Sequence, residues 1–165
     1  MSVDFKISVG NRQHADSFNF HQIHTVSNNN QRKRLTIYEM EATLITDIRP
    51  SKGQYTGLLQ LTESDAEQIR EVECLIQETI RDTLDNSAYC LKSEVSEDHK
   101  LSFRLAQIKG QITCKCSTGS NKFVSYAELT AKSKVKITLR LDTIWARDDC
   151  YGNFLYKWKA IKIHR

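Results

Sequence analysis

From Val135 to Trp145 apolar side chains recur at every second position, at Val135, Ile137, Leu139 and Leu141, with Trp145 in the same phase. A two-residue period is that of a strand with one buried face. A chain whose clearest signal is of this kind must close or cover a sheet. The same period appears at Phe5, Ile7 and Val9 within Asp4–Val9, at Leu101, Phe103 and Leu105, and at Ile112, Cys114 and Cys116. Gln54–Leu61, Lys122–Leu129 and Phe154–Ile163 read as further strands. Arg34–Asp47 reads as a long one, with Leu35 and Ile37 on one face and Tyr38, Met40, Ala42 and Leu44 on the other. That change of phase predicts a bulge. Gly10–Gln22 reads as a loop, Ser27–Arg34 as a polar connection ending in three cations, and Asp148–Asn153 as a hairpin loop.

A 3.6-residue period occurs once. Ala66, Ile69, Val72, Ile76, Ile80 and Leu84 form one apolar stripe, predicting a helix over about residues 63–85. Ser64-Asp65-Ala66-Glu67 fits a capping box and Asn86 a left-handed terminator. Eight or so strands with one mid-chain helix point to a mainly β fold, an oligonucleotide-binding (OB) fold-like antiparallel β-barrel. A β-sandwich with an inserted helix is the alternative. The 165 residues suit one domain spanning 1–165.

The net charge of +4 is unevenly spread. Residues 62–99 hold eleven acidic and three basic side chains, and residues 100–165 hold four acidic and fourteen basic. A strongly basic C-terminal part attracts polyanions, nucleic acid first among them. The outward helix face, with Glu67, Glu71, Glu78 and Asp82, should repel them. No run of about 20 apolar residues is present, so no membrane partner is expected. Five scattered cysteines read as reduced thiols, consistent with an intracellular location.

Binding residues are expected on the C-terminal strands. Lys134, Lys136 and Arg140 share the phase opposite the apolar row, and Lys157 and Lys159 alternate with Phe154, Tyr156 and Trp158. Cations to track phosphates and rings to stack bases are what a single-strand binder needs. Arg147 and the Arg32-Lys33-Arg34 run add cations for the same purpose. The competing reading puts the rings in the core and leaves the lysines as an ordinary solvated face. Cys114-Lys-Cys116 and His21/His24 depart from zinc-ligand spacing and read as structural. Asp148-Asp149 and Glu94/Glu97/Asp98 are acidic pairs of the type metal-dependent nucleases use, but here they read as solvated. No nucleophile or phosphate-loop motif is present, so neither catalysis nor a cofactor is expected.

The segment K-V-K-I-x-L-x-L-x-x-I-W, a polar turn with Gly152, and F-x-Y-K-W-K-A-I-K-I resembles the final hairpin of a virus-encoded single-stranded-DNA-binding group. These are OB-fold proteins of large DNA viruses. The matching positions are Trp145, Gly152, Lys157, Trp158 and Lys159. The resemblance implies sequence-independent binding of single strands during viral DNA replication, recombination or packaging, at a host nuclear or cytoplasmic replication site. Single-stranded DNA is therefore the expected partner, with RNA open because that choice leaves no trace in composition. Assembly of several copies along a strand also fits. Two rivals stand beside this reading: an assembly protein whose basic face meets an acidic partner, and a small metal-dependent nuclease.

Overall fold

A computed structural model describes residues 5–15, 17–86, 88–147 and 153–165. The N-terminal stretch forms β1 (Lys6–Val9), β2 (Gln13–Ala15) and β3 (Phe18–Val26). Then come β4 (Arg32–Leu44), β5 (Arg49–Ser51), β6 (Gln54–Gln60) and the helix α1 (Glu63–Thr83). After it follow β7 (Cys90–Leu91), β8 (Lys100–Leu105), β9 (Gln107–Ile108), β10 (Gln111–Ile112), β11 (Lys115–Thr118) and β12 (Lys122–Phe123). The chain finishes with β13 (Lys134–Leu141), β14 (Thr143–Arg147), β15 (Asn153–Tyr156) and β16 (Trp158–His164). Its contacts divide it into two compact units. The first comprises residues 1–35, 67–94 and 141–156, and the second residues 36–66, 95–140 and 157–165.

The second unit is built on a closed five-stranded barrel in the order β4-β6-β8-β16-β13, with β13 pairing back to β4. The protein is thus mainly β with an OB-like barrel and a single α-helix among the described residues. One barrel ladder departs from the expected antiparallel pattern, because β8 and β16 run parallel. The chain leaves the barrel between β6 and β8 to form α1, and between β13 and β16 to form β14 and β15. Alternation gives the barrel its interior: Val135, Ile137 and Leu139 on β13, Phe103 on β8 and Trp158 on β16 are all buried. The expected bulge is at Glu39, whose φ of 47° lies in the left-handed region. Tyr38 stays on the outward alternation after buried Ile37, at 76% exposure, and the extra residue at Glu39 returns Met40 to the inside, so the two are not on one face as their spacing suggests.

Several segments differ from expectation for local reasons. Asp142 divides the Val135–Trp145 run, so Ile144 rather than Trp145 is buried in β14. Lys157 likewise separates β15 from β16. Only Lys122–Phe123 of Lys122–Leu129 is strand, because Ser125 and Glu128 form a reciprocal capping box around a short 3₁₀ turn. Lys52 and Gly53, both with positive φ, make the two-residue turn of the β5–β6 hairpin.

The first unit carries β3, a nine-residue strand in a region that reads as loop. Its inward positions include Asn19 and His21, and polar residues there hide the alternation. Residues 67–83 of α1 belong to this unit, with Ile69, Val72, Ile76 and Ile80 buried. The helix is capped two residues earlier than expected, since the Thr62 hydroxyl accepts from the Asp65 backbone N–H at 3.2 Å. Asp85, at φ 48°, takes the left-handed terminal position instead of Asn86. Cys74 lies on the exposed side of the helix.

Two predictions follow from the packing. A Cβ on Gly57 would meet Phe103 Cζ at 2.7 Å and Ile48 Cγ1 at 3.3 Å. Gly57→Ala should therefore cost about 1–3 kcal/mol in chemical denaturation; an unchanged midpoint would mean the barrel wall yields there. Glu73 faces inward, its carboxylate accepting from the Ser93 hydroxyl at 2.6 Å. Burial pushes this carboxyl above its ordinary 4.5, although hydrogen bonds from Ser93 and Glu94 pull the other way. The folded protein then binds this proton more tightly than the unfolded chain. That contribution to stability is complete below about pH 4.5 and is lost as pH rises through the raised value. Glu73→Gln should flatten this decline in denaturation midpoints measured across the range, whereas an identical decline in the variant would assign it to another group.

Candidate nucleic-acid interface

On β13 and β16 the register decides which cations meet. Arg140 stands opposite Lys159, Thr138 opposite Lys162, and Lys136 opposite His164. Directly paired residues project from the same face. Their inward neighbours are also paired, Ile137 with Ile163 and Leu139 with Ala160, so the cations point away from the barrel interior. A bulge between Thr138 and Leu139 keeps Lys162 in phase with this outward set. Sequence alternation from Lys157 and Lys159 would put Ile161 there instead.

Neighbouring strands extend the face. The parallel β8 sets Arg104 against Lys159, and the parallel β11 sets Lys115 against Lys162. Strands lie about 4.8 Å apart, so the backbone positions of Arg104, Lys159 and Arg140 span about 10 Å across three strands. A third row runs Phe123–Ser117–His164–Lys136 from β12 to β13. Ser117 Oγ and His164 Nδ1 are 2.8 Å apart, which holds two members of that row on one side of the sheet. Phe123 is 75% exposed at one border of the face. At the other border is β4, where the Glu39 N–H donates to Thr138 Oγ1 at 3.2 Å and Tyr38 immediately precedes. Glu39 and Glu41 on β4 are exposed carboxylates at this border.

The expected binding residues divide accordingly. Lys134, Lys136, Arg140, Lys157 and Lys159 all belong to the second unit, and the ladder joins Lys136, Arg140 and Lys159. Lys157 Nζ donates to Ser102 Oγ at 3.2 Å. Lys134 is exposed one strand alternation beyond Lys136. Arg32, Lys33, Arg34 and Arg147 are exposed but belong to the first unit. The first three are not in a loop: they pair with Val26, Thr25 and His24, and the turn is confined to residues 27–31. Arg34 lies 3.9 Å from Asp142.

Two assignments are corrected outright. Tyr156 and Trp158 are both fully buried, so neither ring can stack on a base. The Tyr156 hydroxyl accepts from the Glu94 N–H at 3.2 Å, a contact available only because the ring points inward. Gly152 and Asp148-Asp149 lie outside the described residues. Cys114 and Cys116 are buried, and a hydrogen bond with Cys116, reinforced by burial, pushes the Cys114 thiol upward so that it keeps its proton. His21 is buried with Nδ1 2.8 Å from the Gly10 carbonyl.

Lys115, Lys162, Arg104, Phe123 and Tyr38 escape a sequence reading. Arg104, Lys115 and Phe123 sit on strands brought together only by the order of the sheet, Lys162 is moved by a bulge, and Tyr38 follows buried Ile37 on the outward alternation. The change of phase between Ile37 and Met40 is visible in the sequence, but not that Glu39 is the extra residue. Comparisons with family models, curated proteins and solved structures find no significant match to this chain. Among the described residues no helix is long and apolar enough to cross a membrane.

Burial gives a direct expectation for the corrected rings. Tyr156→Ala should lower the unfolding midpoint by about 3–5 kcal/mol equivalent, and any loss of binding should vanish when affinity is referred to folded protein. Loss of affinity at unchanged stability would return this ring to the interface.

Proposed function

We propose that this protein binds single-stranded nucleic acid without sequence preference, DNA first, through the outward face of β13, β16, β8 and β11. The observation that carries the reading is the register. It assembles Lys136, Arg140, Lys159, Lys162, Arg104 and Lys115 on one side of the barrel, between exposed Phe123 and the β4 border that bears Tyr38. Like charges on adjacent strands destabilise a sheet. Their concentration here is accounted for if a polyanion neutralises them. Phosphates would run over the cation rows while bases stack on the border rings, which needs unpaired bases and no cofactor or chemical step. The OB-like barrel, an architecture that lends its sheet face and loops to oligonucleotides, supports the same reading. The C-terminal resemblance to the viral single-stranded-DNA-binding group supports a role in viral DNA replication, recombination or packaging, inside the host cell and with copies arrayed along the strand.

The test is fluorescence anisotropy with single-stranded DNA, single-stranded RNA and duplex DNA of equal length over a range of salt. Six cations on a single strand predict a slope of log affinity against log salt of roughly −4. Lys159→Ala combined with Lys162→Ala should flatten it by about 1.4. Phe123→Ala should weaken binding by about 1–3 kcal/mol at every salt concentration and leave the slope alone. Duplex binding as tight as single-strand binding, or an unaltered slope in the double lysine variant, would reduce the face to a generic basic surface.

A further inference from the structure

Beside the third row of the face the barrel wall opens into a groove of about 630 Å³, within the range of small-ligand sites. It lies wholly in the second unit, where β4, the end of β6, the start of β13 and the end of β16 come together. Lys134, Lys136 and His164 line it, with Arg165 beyond and Glu41 the single carboxylate. Leu61 and Val135 supply apolar surface. Lys136 and His164 belong both to this lining and to the row that begins at Phe123. Lys136 and His164 thus connect the basic face to the groove.

The composition selects among anions. Three cationic side chains against one side-chain carboxylate leave an excess of positive charge in a confined space, with the Arg165 guanidinium also donating to the Glu128 carbonyl at 3.0 Å. A phosphodiester carries one negative charge, whereas a terminal phosphomonoester carries nearly two at neutral pH. The apolar strip beside the cations suits the base and sugar of the same nucleotide. We infer that the groove receives the phosphorylated terminal nucleotide of a bound single strand, its phosphomonoester held by Lys134, Lys136 and Arg165. This rests on the proposed single-strand function and assigns to it a preference for phosphate-bearing ends. A free nucleoside monophosphate carries the same chemistry and is the second source to distinguish.

The experiment compares a short oligothymidine ending in hydroxyl groups with the same oligothymidine bearing a 5′-phosphate or a 3′-phosphate, and with 5′-dTMP alone. The full chain is used, with Lys134→Ala, Lys134→Arg and the Lys159→Ala/Lys162→Ala pair. Lys134 is exposed, so its substitution should leave the thermal midpoint in place. One phosphate-ended strand should bind about tenfold more tightly than the hydroxyl-ended strand, the worth of a charge-assisted contact. Lys134→Ala should erase most of that ratio, and Lys134→Arg should restore part of it. The double lysine pair should weaken every strand and preserve the ratio. Equal affinity for all ends, or a ratio that survives Lys134→Ala, overturns the groove assignment and leaves the face intact. If no strand binds, the single-strand function fails, and the groove is judged on 5′-dTMP: saturable binding lost in Lys134→Ala keeps it as a nucleotide site, and no saturable binding overturns it.

Discussion

The pairing of β13 with β4 on one side and β16 on the other is the contact on which the second unit depends. It joins the two ends of a five-stranded sheet and so removes both edges. Once closed, the barrel has one inside, and strand alternation leaves no freedom over what faces it. Ile137, Leu139, Phe103 and Trp158 must point inward, and all four are fully buried. The alternate positions flank them, and in this chain those include Lys136, Arg140, Arg104 and Lys159, although Thr138, between Ile137 and Leu139, is itself buried. The basic face is thus the obligatory counterpart of the apolar core, written in the same strands at the alternate positions.

Two irregularities adjust that face. The β13–β16 register shift restores Lys162 to the outward row, and left-handed Glu39 is the extra outward residue of β4, standing beside exposed Tyr38 and returning Met40 to the inside. Bulges at such points re-aim side chains without breaking the barrel. The parallel pairing of β8 and β11 with β16 does the rest, laying Arg104 and Lys115 beside lysines distant in sequence. Like charges this close raise the free energy of the folded chain, a tension that bound phosphates would relieve.

Alternation made the barrel strands legible from sequence, because Val135, Ile137 and Leu139 or Leu101, Phe103 and Leu105 report burial through hydrophobicity alone. It failed at β3, where buried Asn19 and His21 break the link between polarity and exposure. Lys136, Arg140 and Lys159 were also legible, since their phase is local, whereas the bulge hides Lys162. The rings were not. Tyr156 and Trp158 alternate with lysines, which is compatible with either face until pairing fixes the phase, and the core received both. Phe123 falls in Lys122–Leu129, which reads as one strand and which the Ser125–Glu128 cap cuts short. Contacts that depend on register or on strand order cannot be read from one strand at a time.

The most direct measurement is photo-crosslinking of the full chain to single-stranded DNA carrying a halogenated uracil, with the attachment points mapped by mass spectrometry. Halogenated bases join to rings on which they stack, so the mapped residues report contact rather than charge. The account predicts attachment at Phe123 and Tyr38, lost on salt-driven release of the strand. Attachment confined to the acidic helix, Glu63–Thr83, or to strands of the first unit would contradict it.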